Sequence, residues 1–440
     1  MTWYRNLTGV YMYPMFVANF ILKPAYYFRG EDVFQLITLY DDLEKGGLEA
    51  IHRYKQEKIE SICRYALEKI PYFIHLKLTS DFDSGLGWFP VLTKSKIKEF
   101  MDDFLLSSIR HSWRSTSGST GSPFLFPKDR DATAHMDALM YHAYSWHGIK
   151  VGDRQARLWG TPLDFTARVA KKAKDFLLNR KRLSAFEMDD VASKAFFYKL
   201  IIFKPKYFYA YANALYQFAL SLERQAIDGK QLKIPVAICT GEVLFPFQRE
   251  KIEKFFGCKV VNEYGSTENG IIGFECERNN LHIVPTIELE ILNPDENGFG
   301  NVVITELNSK AIPFIRYDIG DVARFVDLKC DCGRPYRIIE LKEGRVDDYI
   351  KCPDGRLVYD AILAYSLKND VEKFKAIQED IDLINISIVP KSGFDRSSEM
   401  RIIGQLREYL GKEMKIVFST VNDILPEKSG KLRYFVSKIL

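Results

Sequence analysis

A chain of 440 residues exceeds what one hydrophobic core usually holds, so a large domain with a smaller companion is expected. Its formal charge of +4 is nearly neutral for that length, which excludes a general polyanion-binding or nucleic-acid role. Seven cysteines, an odd number, argue for reduced thiols or metal ligands and against a disulfide framework.

In chain order, residues 10–28 are rich in aromatics, but Pro14, Asn19, Lys23 and Pro24 interrupt them well short of the roughly 20 apolar residues a spanning helix needs. No small-residue cleavage site follows a short apolar run, so the expected location is cytoplasmic. Burial of the segment against the main domain is expected, with an interfacial membrane contact as the alternative. From Leu48 to Pro71, Ile51, Tyr54, Ile59, Ile62, Ala66 and Ile70 recur at helical spacing and predict an amphipathic helix. Cys63, Cys239 and Cys258 read as buried core thiols. Thr93 is placed to cap a helix that starts near Lys94.

Residues 113–123 are a run of small hydroxyl residues and glycines that must form a loop. Glycine lets successive backbone N–H groups turn toward an anion, and Ser and Thr hydroxyls add donors, so the loop could cradle phosphates. It matches neither the P-loop nor the dinucleotide pattern, and alone it is more often a flexible connection.

Between Ile234 and Tyr264 the pattern is explicit: an apolar strand to Cys239, Thr240-Gly241-Glu242, a helix from Phe247 to Phe256, Gly257, and a second strand from Lys259 to Asn262. This βαβ unit places Gly241, Glu242 and the stretch Tyr264-Gly265-Ser266-Thr267-Glu268 just beyond the carboxyl ends of two parallel strands, where ligands of open α/β sheets collect. Alternating Ile287, Leu289 and Ile291, the turn at residues 293–298, and Val302, Ile304 and Glu306 read as an antiparallel meander. From Asp347 onward the order is hairpin, helix, strand, strand, helix, strand. The expected domains are therefore 1–345 and 346–440: βαβ-built sheets plus a strand meander in the first, a small α+β lobe in the second.

Cys276, His282, Cys330 and Cys332 form a second constellation, four soft or borderline ligands of the kind a tetrahedral structural Zn²⁺ prefers. The spacing is not a standard zinc-finger pattern; free thiols beside a satisfied histidine are the alternative.

Read together, Tyr65-Ala66 with Ile70 to Phe73, Pro90 to Lys94, Ser117 to Pro123, Thr240 to Glu242, Tyr264 to Glu268, Tyr317 to Asp321, Gly344 to Asp348 and Ser429 to Arg433 run in order along nearly the whole chain. They resemble the adenylate-forming superfamily of acyl-CoA synthetases and their relatives, and more closely its phenylacetate-CoA ligase branch with the CapK-like proteins of surface polysaccharide loci. The resemblance implies ATP and Mg²⁺ as cofactors and a carboxylic acid as substrate, activated as acyl-AMP. Ser117, Gly118, Ser119, Thr120 and Gly121 would hold the β- and γ-phosphates, and Gly241 and Glu242 would lie against adenine, with Glu263, Tyr264, Gly265 and Ser266 beside the nucleotide. Thr267 would contact the α-phosphate, Glu268 would hold Mg²⁺, Asp321 would accept from both ribose hydroxyls, and Arg345 would touch the nucleotide. Lys431 would swing in as the catalytic lysine, with Asp347 as the hinge.

The acid pocket would draw on Tyr141, Trp146, Tyr211 and Asn262. Coenzyme A is the leading acceptor and an amine or hydroxyl of a sugar precursor the alternative. Phe124 follows Pro123 where many acyl-CoA synthetases carry lysine. A zinc-stabilised, non-catalytic binding protein is the reading from another class.

Overall fold

The computed structural model describes residues 14–79, 85–116, 124–160, 172–184, 189–242, 244–342, 349–367, 369–424 and 435–439. The chain divides into two compact units, residues 1–114 with 126–343, and residues 115–125 with 344–440.

Strands β1 (His111–Ser115) and β2 (Leu125–Asp129) form a two-stranded ribbon. The main sheet has eleven strands: β3 (Gln155–Trp159), β4 (Arg180–Ser184), β5 (Tyr207–Ala210), β6 (Val236–Thr240), β7 (Lys259–Ser266), β8 (Gly270–Glu275), β9 (Leu281–Ile283), β10 (Ile287–Leu292), β11 (Gly300–Glu306), β12 (Tyr317–Val326) and β13 (Ile338–Leu341). Their spatial order is β10-β11-β12-β13-β9-β8-β7-β6-β5-β3-β4. Strands β4, β3, β5, β6 and β7 run parallel, and from β7 to β10 every pairing is antiparallel. The predicted βαβ unit and meander are both present.

Two strand boundaries differ from the sequence expectation: residues 113–115, expected in a loop, belong to β1, and β7 is longer than expected. Tyr264, Gly265 and Ser266 belong to β7 and do not lie past its end. Pairing with β6 stops at Glu263, but β8 pairs on as far as Ser266, so the antiparallel neighbour carries the ladder further than the parallel one. The register shifts between Tyr264 and Gly265, and a Cβ at Gly265 would run into the Gly270 carbonyl, so this crossing requires glycine.

Strand alternation gives the parallel half two unlike faces. Ala156, Leu158, Phe208, Ala210, Ala237 and Cys239 point to one side, in an apolar core with residues of helices Asp190–Phe203, Ala212–Arg224 and Pro246–Phe256. Arg157, Trp159, Tyr207, Tyr209 and Glu263 occupy the alternate positions, and Tyr144 of the helix Arg130–Ser145 packs on the last three. Asp129 starts that helix: its Oδ1 accepts from Ala132 N at 2.9 Å, and its Oδ2 from Lys310 N and Ala311 N at 2.8 and 2.9 Å.

The long amphipathic helix runs Gly47–Lys69 and stops short of the predicted Pro71, because the residue before a proline avoids helical angles; Ile70 is extended and a second helix begins at Pro71. Thr93 caps the next helix as expected, accepting from Lys96 N at 3.3 Å. Cys63, Cys239 and Cys258 are buried, as their surroundings predicted. The N-terminal helical segment is buried on one side only: Val17, Ala18, Leu22 and Tyr26 are covered, whereas Met15, Phe16, Phe20, Tyr27 and Phe28 are exposed. Among the described residues, no helix is long and apolar enough to cross a membrane.

The second unit holds the hairpin β14 (Tyr349–Lys351) and β15 (Leu357–Tyr359), the helices Ala361–Leu367 and Arg396–Leu410, and a four-stranded sheet. That sheet, built from β16 (Val371–Asp380), β17 (Leu383–Pro390), β18 (Lys415–Thr420) and β19 (Phe435–Ser437), has the order β18-β17-β16-β19. The order along the chain is the predicted one with β19 added.

In the first unit Lys128 is fully buried and its Nζ meets both carboxylate oxygens of Glu306 on β11, to which Asn269 Nδ2 also donates at 3.0 Å. Burial pushes the Glu306 carboxyl up and the Lys128 amine down. Lys128→Ala strands a buried carboxylate, and urea denaturation should show a loss of about 3–5 kcal/mol in unfolding free energy.

Candidate functional site

The carboxyl edge of the parallel strands is where the polar positions collect. Gly241, just past β6, has φ 82°, and a Cβ there would lie 3.0 Å from the Tyr211 ring. Tyr211 in turn stacks on Trp159 with ring centroids 4.0 Å apart. Glycine is needed here both for its angle and because the backbone passes flat against an aromatic ring. Gly241, Tyr211 and the end of β3 therefore share one corner, with Glu242 half-buried beside it.

From β7 to β12 the sheet order passes β8, β9 and β13, four strand spacings, or about 19 Å on a flat sheet. Yet the Tyr264 hydroxyl on β7 donates to Asp321 Oδ2 on β12 at 2.9 Å. No tyrosine and aspartate bridge that flat distance, so the antiparallel half curls and brings its far strand back over β7. Burial, then the Asp321 charge, push the Tyr264 phenol up, so it stays a donor.

The same curl brings Tyr317 to the β7–β8 turn. Its hydroxyl donates to Glu268 Oε1 at 3.3 Å, and Lys94 Nζ lies 3.3 Å from the same oxygen. Lys94 reaches this point because the segment before it clips onto the start of β12: Leu92 N donates to the Arg316 carbonyl at 2.9 Å and Asp318 N to the Leu92 carbonyl at 2.8 Å. Glu268 is 4% exposed, while Thr267 beside it faces solvent. Ser266 Oγ accepts from Asn269 N at 3.0 Å, and Asn269 is anchored on the buried Lys128–Glu306 pair, so the turn that presents Glu268 is held from below. A buried carboxylate contacted on one oxygen suits a hard cation such as the Mg²⁺ of a nucleotide.

Beneath the edge lies the polar layer. Arg157 sits 4.9 Å from the Trp159 ring centroid and 4.7 Å from that of Tyr209, with its Nε buried and unpartnered. Glu263 accepts from the hydroxyls of Tyr144 and Tyr209 at 2.8 and 3.0 Å, and burial raises its pKa against those hydrogen bonds. Its carboxylate thus turns into this layer. Of the residues expected at the acid pocket, Tyr211 lies at the Gly241 corner. Tyr141 is hydrogen-bonded to Tyr26, and Asn262 N donates to Glu275 Oε2 at 2.8 Å. Trp146 lies elsewhere, stacked on Tyr336 at 5.8 Å, under the Arg334 guanidinium and against Cys276 and Cys330.

The four expected metal ligands do converge. Cys276 Sγ, His282 Nε2, Cys330 Sγ and Cys332 Sγ lie within 4.8 Å of one another. Cys276 and Cys330 sulfurs are 3.7 Å apart, and Cys332 Sγ is 3.3 Å from His282 Nε2. Tetrahedral zinc, with bonds of about 2.3 Å to sulfur and about 2.0 Å to nitrogen, sets these separations at about 3.8 and about 3.5 Å. His282 directs Nδ1 to the Tyr336 carbonyl at 3.0 Å, which leaves Nε2 to the cluster, and Arg278 N and Arg334 N point at Cys276 and Cys332 sulfurs at 3.3 and 3.5 Å.

Ser117, Gly118, Ser119, Thr120, Gly121, Arg345, Asp347 and Lys431 lie outside the described residues. Sequence reasoning missed Lys94, Tyr317, Asn269 and Arg157 as site residues. Lys94 and Tyr317 stood inside motifs already singled out, but nothing in their spacing says that both reach Glu268.

Residues 353–438 match the CapK C-terminal domain family. Protein CapK of Staphylococcus aureus is 25% identical over 374 residues, covering 81% of this chain and 81% of its own length. A phenylacetate-coenzyme A ligase of Thermus thermophilus is 22% identical over 332 residues, 70% of this chain and 73% of that protein. A 2-hydroxyisobutyryl-CoA ligase solved with 2-HIB-AMP and CoA superposes with a TM-score of 0.56 at 19% identity, covering 88% of this chain and 90% of the other. This is the adenylate-forming ligase fold. The sequence similarity is to the phenylacetate-CoA ligase and CapK-like branch of that superfamily.

Glu263 gives this adenylate-forming fold a pH signature. Its folded pKa lies above the ordinary 4.5, so its contribution to stability is full below that value and is lost as pH rises through the raised folded value. Unfolding titrations of the native chain and Glu263→Gln should therefore diverge above about pH 4.5, the native chain losing stability relative to the variant. A pH-independent difference contradicts this assignment.

Proposed function

We propose that the chain is an AMP-forming acid ligase that converts ATP and a carboxylic acid to acyl-AMP and pyrophosphate, then passes the acyl group to an acceptor. The observation that carries the reading is the meeting of Tyr264, Asp321, Tyr317 and Glu268 at the strand edge beside Gly241. Three unlike functions sit within one corner there: a flat aromatic surface for a base, an exposed carboxylate for vicinal hydroxyls, and a buried carboxylate for a cation.

In this reading the Gly241 backbone and the Tyr211–Trp159 stack receive adenine. Asp321 accepts from the ribose hydroxyls, as an ionised carboxylate offers only acceptors, and the Tyr264 hydroxyl holds it in place. Thr267 offers its hydroxyl to the α-phosphate from the exposed side of the turn. Glu268 is the magnesium ligand, and the cation when bound neutralises phosphate charge. Lys94, on the same carboxylate oxygen, keeps that carboxylate oriented. Lys431 is the proposed catalytic lysine, offsetting charge as the acid oxygen attacks the α-phosphorus, with Ser117 to Gly121 cradling the outer phosphates, Arg345 on the nucleotide and Asp347 as hinge. The attack forms the carboxylate–phosphorus bond and expels pyrophosphate; the acceptor then adds to the acyl carbon, AMP leaves, and the acceptor's proton is released.

Coenzyme A is the proposed acceptor, in line with the phenylacetate-coenzyme A ligase relatives. An amine or hydroxyl of a sugar precursor is the second reading, supported by the similarity to CapK along 81% of the chain. Acid-dependent exchange of labelled pyrophosphate into ATP should be present in the native chain and fall roughly 100-fold or more in Glu268→Gln and Lys431→Ala. Exchange absent with a broad panel of acids supports the non-catalytic binding protein instead, and exchange unchanged in Lys431→Ala overturns the role given to Lys431. AMP release on adding coenzyme A or amino-sugar acceptors then separates the two acceptors.

The cysteine and histidine cluster is proposed to hold one structural Zn²⁺ that ties the β8–β9 turn to the loop before β13. All four positions are filled by protein ligands, so its contribution is stability and not catalysis. Elemental analysis should find about one zinc per chain, and Cys332→Ser or chelation should lower Tm by about 5 °C or more.

A further inference from the structure

We propose that the first unit docks on an anionic lipid surface through a patch formed by its N-terminal helix and the segment around Phe176. This inference is independent of the ligase reading. In the helical run Val17–Leu22 and Lys23–Arg29, Phe20, Lys23 and Tyr27 continue the line begun by Phe16 at steps of four, three and four residues, one stripe of a helix. Phe16, Phe20 and Tyr27 are 50%, 69% and 78% exposed, while Ala18, Leu22 and Tyr26 on the opposite stripe are buried. Phe16 and Phe20 stack at 5.1 Å in full view of solvent.

A second exposed pair, Phe176 and Leu177, lies in a segment tied to the turn on which that helix rests. A Cβ at Gly152 would strike the Pro14 carbonyl and lie 3.1 Å from Ala18 N, so the N-terminal helix rests on Gly152. Asn179 Nδ2 donates to the Gly152 carbonyl at 2.8 Å, and Asn179 N to the Phe176 carbonyl at 3.1 Å. Two separate elements packed on one turn therefore each carry exposed aromatic and aliphatic side chains, more than the scattered singles of an ordinary surface.

The exposed charge around Phe176 is mostly basic, and Asp153, beside Gly152, accepts from Lys150 N at 2.8 Å. Lys150, Lys172, Lys174 and Lys181 are exposed, while Asp175 is buried and its carboxylate is clamped by Arg182 at 2.7 and 2.9 Å. On the helix Lys23 is exposed, and Arg29 is paired with Glu31 at 2.7 Å. Aromatics ringed by lysines match a headgroup layer, where rings enter the acyl boundary and ammonium groups meet lipid phosphates. With no described helix able to cross, the patch lies on the surface.

Co-sedimentation of the full chain with vesicles tests this, using phosphatidylcholine alone or with about one-third phosphatidylglycerol. The chain should bind the anionic vesicles, bind neutral ones weakly, and release as salt rises. Phe16→Ser/Phe20→Ser and Lys172→Glu/Lys174→Glu should each lower partitioning about tenfold or more, with unchanged melting curves. If the first variant melts early, Phe176→Ser/Leu177→Ser reads the same patch from the other element. Binding that both variants retain in full overturns the proposal. So does failure to bind anionic vesicles, whether or not sedimentation velocity shows a dimer that Phe16→Ser/Phe20→Ser dissociates.

Discussion

A sheet whose parallel half is open and whose antiparallel half curls back on it is the constraint on which the site depends. Asp321 and Tyr317 enter the chain some fifty residues after Tyr264 and Glu268, on a strand four places away in the sheet. Only curvature brings them to β7, and two contacts mark the closure: the tyrosine–aspartate hydrogen bond and the Tyr317 hydroxyl on Glu268. Twisted antiparallel strands curl readily, and the bulges in β7–β8 and β11–β12 supply local bends where the curl is needed. The Lys128–Glu306–Asn269 group lies beneath this closure. A buried charge pair of this kind adds little net stability, but it admits one arrangement of its partners, and the turn carrying Glu268 inherits that arrangement.

The parallel half divides its work between two faces. One is an apolar core under three helices, which leaves the strands' carboxyl ends to present Gly241 and the β7 end. The other carries Arg157, Tyr209, Glu263 and Tyr144, a layer whose hydrogen bonds and ring contacts offset the cost of burying charge. The cysteine–histidine cluster gathers in the antiparallel half, where β9 pairs with β13 over only two residues.

Much of this was readable from residue order. The βαβ unit around Gly241, the meander from Ile287 and the alternation in the small lobe follow from periodicity, because side-chain spacing of 2 or 3.6 residues is a local property. Thr93 as a cap and the glycine at 241 follow from equally local chemistry. Helix ends were less legible: Pro71 stops its helix one residue earlier than the apolar pattern, and β7 runs past its predicted end because an antiparallel neighbour, invisible in the segment itself, continues the ladder. The N-terminal aromatics show the same limit, since composition alone could not say which stripe of the helix is covered.

Residue types and their order determined the layers, the chemistry on offer and the four soft ligands of the cluster, since these rest on spacing within a few residues. Which of those residues meet was decided by tertiary structure alone. Lys94 reaches Glu268 through a backbone clip onto β12, Trp146 joins the cysteine cluster because its helix passes there, and Arg157 packs on Tyr209 because the register of β3 and β5 sets the two opposite each other. Such contacts join positions far apart in the chain, and their geometry is set by sheet curvature and register, which no short stretch of sequence encodes.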